Sequence, residues 1–147
     1  MTWQQLLTQN RIRQHTTSKN ELEDLRGVVA RDLNDAAIPG LSADRSFATA
    51  YNAALQLAKM AVACAGYRVS GIGAHQASFE AVELAIGTSV ANHAAYFETC
   101  RRKRNTLDYD AAYIVSDAEA SEILKQAQEF RVAVEEWIAK IYPHLAP

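Results

Sequence analysis

Ser42 to Gly66, SADRSFATAYNAALQLAKMAVACAG, is the stretch whose reading decides the fold. Ser42 is suited to open a helix, because its hydroxyl can receive a backbone N–H of the first turn. Phe47, Tyr51, Ala54, Leu55, Ala58, Val62 and Ala65 then recur at helical spacing and form one apolar stripe. Gly66 ends the run, since glycine accepts the left-handed backbone that follows a last turn. The abundance of alanine allows a neighbouring helix to approach closely.

Outward from this helix the same pattern repeats. Upstream, Ser18 and Glu21 form a Ser-x-x-Glu capping box, and Leu22, Leu25, Val29 and Leu33 continue at helical spacing until Ile38-Pro39-Gly40. Downstream, Tyr67 to Ala74 reads as a loop containing Gly71 and Gly73, followed by a shorter helix with Phe79, Val82 and Ile86 that stops at Gly87. A further helix starts near Thr88 or Ser89, presents Val90, His93, Ala94 and Phe97, and runs into Arg101-Arg102-Lys103-Arg104-Asn105. Ser116 and Glu119 make a second capping box, opening a last helix along Ile123, Ala127, Phe130, Val134, Trp137 and Ile141 before Pro143.

No strand-like alternation bounded by turns stands out, and the connections are short, so successive helices are expected to be antiparallel neighbours. The expected fold is all-α, an up-and-down bundle of four or five helices over residues 17–147. Residues 1–16 form either an arm or a short packing helix.

Composition narrows the function classes. The 147 residues are 49% hydrophobic, ample for one core. A formal charge of -2 and a pI near 6.1 exclude a globally basic nucleic-acid coat, so any such site must be a local patch. Cys64 and Cys100 stand far apart, without metal-ligand spacing or a secretory leader, which leads us to expect reduced thiols in a cytoplasmic protein. Lys59, Arg68, Glu80 and Glu83 interrupt the most apolar region, so no membrane span is expected.

Helical bundles hold metal pairs with Glu-x-x-His motifs, but Ile12, Ile72, Val90 and Ile141 stand three residues before the four histidines, so neither a metal site nor a cofactor is expected. Gly71-Ile72-Gly73 before a helix can aim amides at a phosphate or simply serve as an interhelical loop. His75 suits an orienting or capping role, with catalysis as the alternative. No nucleophile elbow is visible.

The run Arg101, Arg102, Lys103, Arg104 can complement the negative end of a helix dipole, but one or two cations suffice for that. Adjacent residues point in different directions around a helix, so at least one of these arginines should face inward or toward a partner. A buried arginine needs a carboxylate or a phosphate to receive it. Asn105, Asp108 and Tyr109 follow at once, able respectively to orient a phosphate, assist it, and stack on a base or donate a hydrogen bond.

Taken together, Ala50-Tyr51-Asn52-Ala53-Ala54-Leu55, the Gly-x-Gly-x-His approach at Gly71 to His75, and Arg104-Asn105-Thr106-Leu107-Asp108-Tyr109 resemble the HEPN superfamily of small helical bundles, over roughly Asn20 to Ile141. The resemblance implies a homodimer that cuts RNA without metal, within a prokaryotic toxin–antitoxin pair. Arg104 would hold the scissile phosphate and Asn105 would orient the motif, with Arg101, Arg102 and Lys103 as supporting phosphate contacts. The place expected for the family's histidine is Tyr109, whose ordinary pKa near 10 makes it a poor base at neutral pH. His75 or His93, brought close by folding, would be the replacement. In some members a partner nucleotidyltransferase modifies a tyrosine two places beyond the histidine, where this chain has Ala111.

Three functions therefore compete. They are an RNA-binding or RNA-cleaving dimer, a non-catalytic protein that binds a nucleotide or works with a partner such as a nucleotidyltransferase, and a plain helix cap.

Overall fold

A computed structural model of the chain describes residues 1–71, 73–109 and 114–147, with side chains for all of these except 106–109. The fold is an all-α bundle. Its elements in order are α1 (Trp3–Thr8), β1 (Ile12–Gln14), α2 (Lys19–Ala36), α3 (Ala43–Cys64), β2 (Tyr67–Val69), α4 (Ala74–Ile86), α5 (Ala91–Tyr109) and α6 (Asp117–Ile141). Single 3-10 turns at Thr88–Val90 and Pro143–Leu145 complete the described chain.

The alanine-rich α3 is the hub, with α2, α4 and α6 packed around it. Ser42 caps it by accepting the Arg45 N–H at 3.3 Å. Its core face carries Tyr51, Leu57 and Met60, which meet Leu22 and Val29 of α2, Phe97 of α5, and Ile123, Phe130 and Ile138 of α6. Burial of each large side chain contributes about 1.5–3 kcal/mol, so this one cluster supplies the main drive to fold. Ser116 and Glu119 form the full reciprocal capping box at the start of α6. At α2 only half the box forms. Ser18 Oγ accepts the Glu21 N–H, but the Glu21 carboxylate turns to His15 Nε2 at 2.8 Å.

The sequence of 67–74 reads as a loop, and there the structure differs. β1 and β2 pair antiparallel, with Ile12 opposite Val69, Arg13 opposite Arg68 and Gln14 opposite Tyr67. Three residues are too few to display alternation, and the pairing joins segments distant in sequence. Gly66, at φ +97°, makes the tight reversal from α3 into β2. The same ribbon seats the N-terminus. Leu6 and Ile12 are buried with Val62 and Ala81, and Trp3 stacks on Tyr67 with ring centroids 4.4 Å apart.

One arginine is almost fully buried, and it lies outside the basic run. Arg26 of α2 is 8% exposed and donates to both carboxylate oxygens of Glu135 at 2.8 and 3.0 Å, to Glu23 at 2.9 Å and to the Leu145 carbonyl at 2.8 Å. It ties α2, α6 and the C-terminal turn together. Among the described residues no helix is long and apolar enough to cross a membrane.

Candidate phosphate-binding site

Aromatic packing in the core lays a rigid floor under one end of the bundle. Phe130 of α6 lies 5.2 Å from Phe97 of α5, Phe97 lies 5.7 Å from Phe79 of α4, and Phe79 lies 5.9 Å from Tyr51 of α3. Tyr51 is buried, so its phenol must find a partner. That partner is His75, whose Nδ1 stands 3.3 Å from the Tyr51 hydroxyl oxygen. Gly73, at φ +81°, starts α4, placing His75 in its first turn.

Above the Tyr51 ring sits the guanidinium of Arg104, 5.8 Å from the ring centroid, within cation–π range. Three residues from α3, α4 and α5, far apart in sequence, are thus in one place. Arg104 is partly buried and Asn105 follows it, also partly buried. The two tautomers of His75 assign the 3.3 Å contact differently. With hydrogen on Nδ1 the imidazole donates to Tyr51 and keeps the Nε2 lone pair. With hydrogen on Nε2 the Tyr51 O–H donates to Nδ1.

Electrostatics separate this place from the rest of the bundle. Burial lowers the pKa of His75 below the usual imidazole range, and the nearby Arg104, Lys59 and Arg101 lower it further. Among the described residues no carboxylate opposes those cations at His75, and the neutral imidazole is favoured there. Burial pushes the Tyr51 phenol well above its ordinary range, with Arg104 and Arg101 partly opposing, so Tyr51 remains a protonated phenol. Both cysteines are inert by the same physics. They are buried thiols, and burial carries Cys64 and Cys100 up to about 11.

The basic run divides by direction, as helical geometry requires. Arg101 is held by Glu98, one turn back, with contacts of 2.7 to 3.0 Å. Lys103 pairs with Glu119 and so fastens α5 to the start of α6. Arg102 is exposed, and Arg104 goes to Tyr51. His93 is stacked on Phe97 with centroids 6.2 Å apart and lies 5.6 Å from Phe130. It is eleven residues before Arg104 on the same helix, about 16 Å along the axis. The histidine that joins Arg104 is therefore His75, while His93 packs against aromatic rings.

Asp108 and Tyr109 lie on the described backbone of α5, but their side chains are outside the described residues, as are Ala111 and Ile72. Among the described residues no three His, Cys, Asp or Glu side chains converge as a metal site would need. No family model matches this chain, and no curated protein or solved structure matches it.

Sequence reasoning missed two participants. Tyr51 enters the sequence reading in an apolar stripe and in the Ala50 to Leu55 resemblance, with no role of its own, although a polar tip on such a stripe is itself a signal, because the hydroxyl must be satisfied wherever the ring is buried. Lys59 counted only as an interruption of an apolar stretch. It is partly buried, close enough to His75 to depress it, and itself held below the usual ammonium range by burial and by Arg68.

Proposed function

We propose that this protein is a HEPN-like RNA-directed ribonuclease that holds a phosphodiester at Arg104 and uses His75 as its base. The observation that carries the reading is the junction of Arg104, Tyr51 and His75. It puts a neutral imidazole beside a guanidinium, the two groups needed to cleave RNA with its own 2′-hydroxyl. In this scheme Nε2 of the Nδ1–H tautomer takes the 2′-hydroxyl proton, the 2′-oxygen attacks the adjacent phosphorus, and the 5′-oxygen leaves and collects a proton from solvent. Arg104, with Asn105 beside it, stabilises the charge that builds on the phosphoryl oxygens. The dimer and the toxin–antitoxin setting belong to the same proposal and rest on the resemblance at Arg104 to Tyr109.

The test is incubation of the purified protein with single-stranded RNA in the presence of a chelator. Cleavage leaving 2′,3′-cyclic phosphate ends is expected, and both Arg104→Ala and His75→Ala should slow it by about a hundredfold or more. Sedimentation should report a dimer. Cleavage and RNA retention by Arg104→Ala at the level of the unmodified protein would sink the proposal.

The ion pairs at Arg101 and Lys103 favour a second reading. Cations already neutralised within the chain suit a non-catalytic surface for a nucleotide or an acidic partner such as an antitoxin nucleotidyltransferase. That reading predicts salt-sensitive RNA retention that depends on Arg104, without cleavage and with no response to His75→Ala.

A further inference from the structure

Beside the Arg104 site lies a cleft of about 310 Å³ between α2, α3, β2 and the start of α4, lined among others by His15, Gln56, Lys59, Arg68 and Ala74. Its charges do not balance. Glu21, the carboxylate in its wall, accepts from His15 Nε2 at 2.8 Å and offsets one of the two positive charges that Lys59 and Arg68 bring. Among the described residues Lys59 and Arg68 have no carboxylate within ion-pair distance. Arg13 stands directly across the ribbon from Arg68, and both are exposed. Like charges placed opposite each other on paired strands oppose the pairing unless an anion lies between or above them.

The cleft reaches the first turn of α4, which carries His75. Ala74 lines it and His75 is the next residue, while the charge of Lys59 reaches His75. Arg13, Arg68 and Lys59 thus form a cationic band that approaches His75, on a protein whose net charge is -2. A band that lines a cleft and leads toward the proposed reacting centre matches a strand with regularly spaced negative charges better than it matches a single anion.

We propose that this cleft is a second phosphate subsite, in which Lys59 and Arg68 receive the backbone phosphates flanking the RNA segment held at Arg104. The inference rests on the ribonuclease reading above. It also gives the band a substrate class, single-stranded RNA longer than the cleaved step.

The experiment compares fluorescence anisotropy of labelled single-stranded RNA of about four and about sixteen nucleotides, across a salt series, for the unmodified protein and for Lys59→Ala/Arg68→Ala. Arg131→Ala, at an exposed cation of α6, is the control. Removing two phosphate contacts should make the slope of log affinity against log salt shallower by about 1.4 for the long RNA. Its affinity should fall on the order of tenfold, and its advantage over the short RNA should shrink. Equal slopes and an unchanged length advantage overturn the subsite, while Arg104-dependent binding in that same protein leaves the ribonuclease reading standing. Absence of RNA binding by the unmodified protein overturns both. If poly-glutamate binds the unmodified protein more tightly than the long RNA and the double variant loses it, the cleft serves an acidic protein and the subsite is overturned.

Discussion

Arg26 and Arg104 are both drawn off the helix surface, and they meet opposite surroundings. Arg26 is enclosed by Glu135, Glu23 and a main-chain carbonyl, and its guanidinium is held above its ordinary pKa chiefly by the hydrogen bonds to Glu135. Arg104 shares its end of the bundle with Arg101, Lys59 and a histidine whose proton affinity those cations depress. One end is electrically closed and holds helices together. The other gathers Arg104, Lys59 and the Glu98-paired Arg101 around a histidine of lowered pKa, the arrangement that our proposal assigns to an incoming phosphate. Burial alone does not mark an arginine as functional, because a buried guanidinium already met by carboxylates needs no ligand.

The largest expected effect is at the closed end. Glu135→Ala strips Arg26 of its bidentate partner while the guanidinium stays buried, and breaking a buried pair from one side costs about 3–5 kcal/mol. Glu23 and the Leu145 carbonyl remain, so a loss near the lower bound is expected in urea unfolding. RNA binding by the folded fraction should not change. If Glu135→Ala unfolded at the same urea midpoint, the contrast between structural and ligand-directed arginines would be broken.

A smaller effect, in pH, sharpens the open end. His75 should titrate below its ordinary value of about 6.5, and Arg104→Ala should move that titration upward without fully restoring it, because burial remains. Ring proton shifts in NMR read this directly. The sign for stability follows from linkage. With the folded pKa below the unfolded one, the unfolded chain takes up the proton first as pH falls. The contribution of His75 is therefore complete above about pH 6.5 and declines below it. A titration midpoint above 6.5 in the unmodified protein means that the cations near His75 are balanced by groups of opposite charge.

The fold was legible because its signals are local. Ser18, Ser42 and Ser116 cap helices where their spacing announces them, and the stripe from Phe47 to Val62 turns inward as its period requires. The ribbon of Ile12–Gln14 with Tyr67–Val69 was not legible, since what makes those residues strands is each other. The site was half legible. Arg104 stood out in a cluster of like charge, whereas Tyr51 and His75 acquire their roles only through a contact between α3 and α4 that no local spacing encodes. The run of cations also exaggerated itself, because Glu98 and Glu119 occupy two of its members.

The smallest expected effect falls where resemblance and geometry disagree most. The resemblance sets its base at position 109, where this chain has tyrosine, and our proposal sets it at His75. If Tyr109 merely replaces a lost base, Tyr109→His should raise cleavage sharply, by the hundredfold or more that a positioned imidazole commonly adds. If His75 already serves, a second imidazole has no proton left to take in the rate-limiting step, and the variant should cleave within about twofold of the unmodified protein. Combining it with His75→Ala makes the comparison decisive. Recovery of cleavage in the double variant assigns the base to the α5 motif, and continued inactivity assigns it to the first turn of α4, where Tyr51 holds the ring.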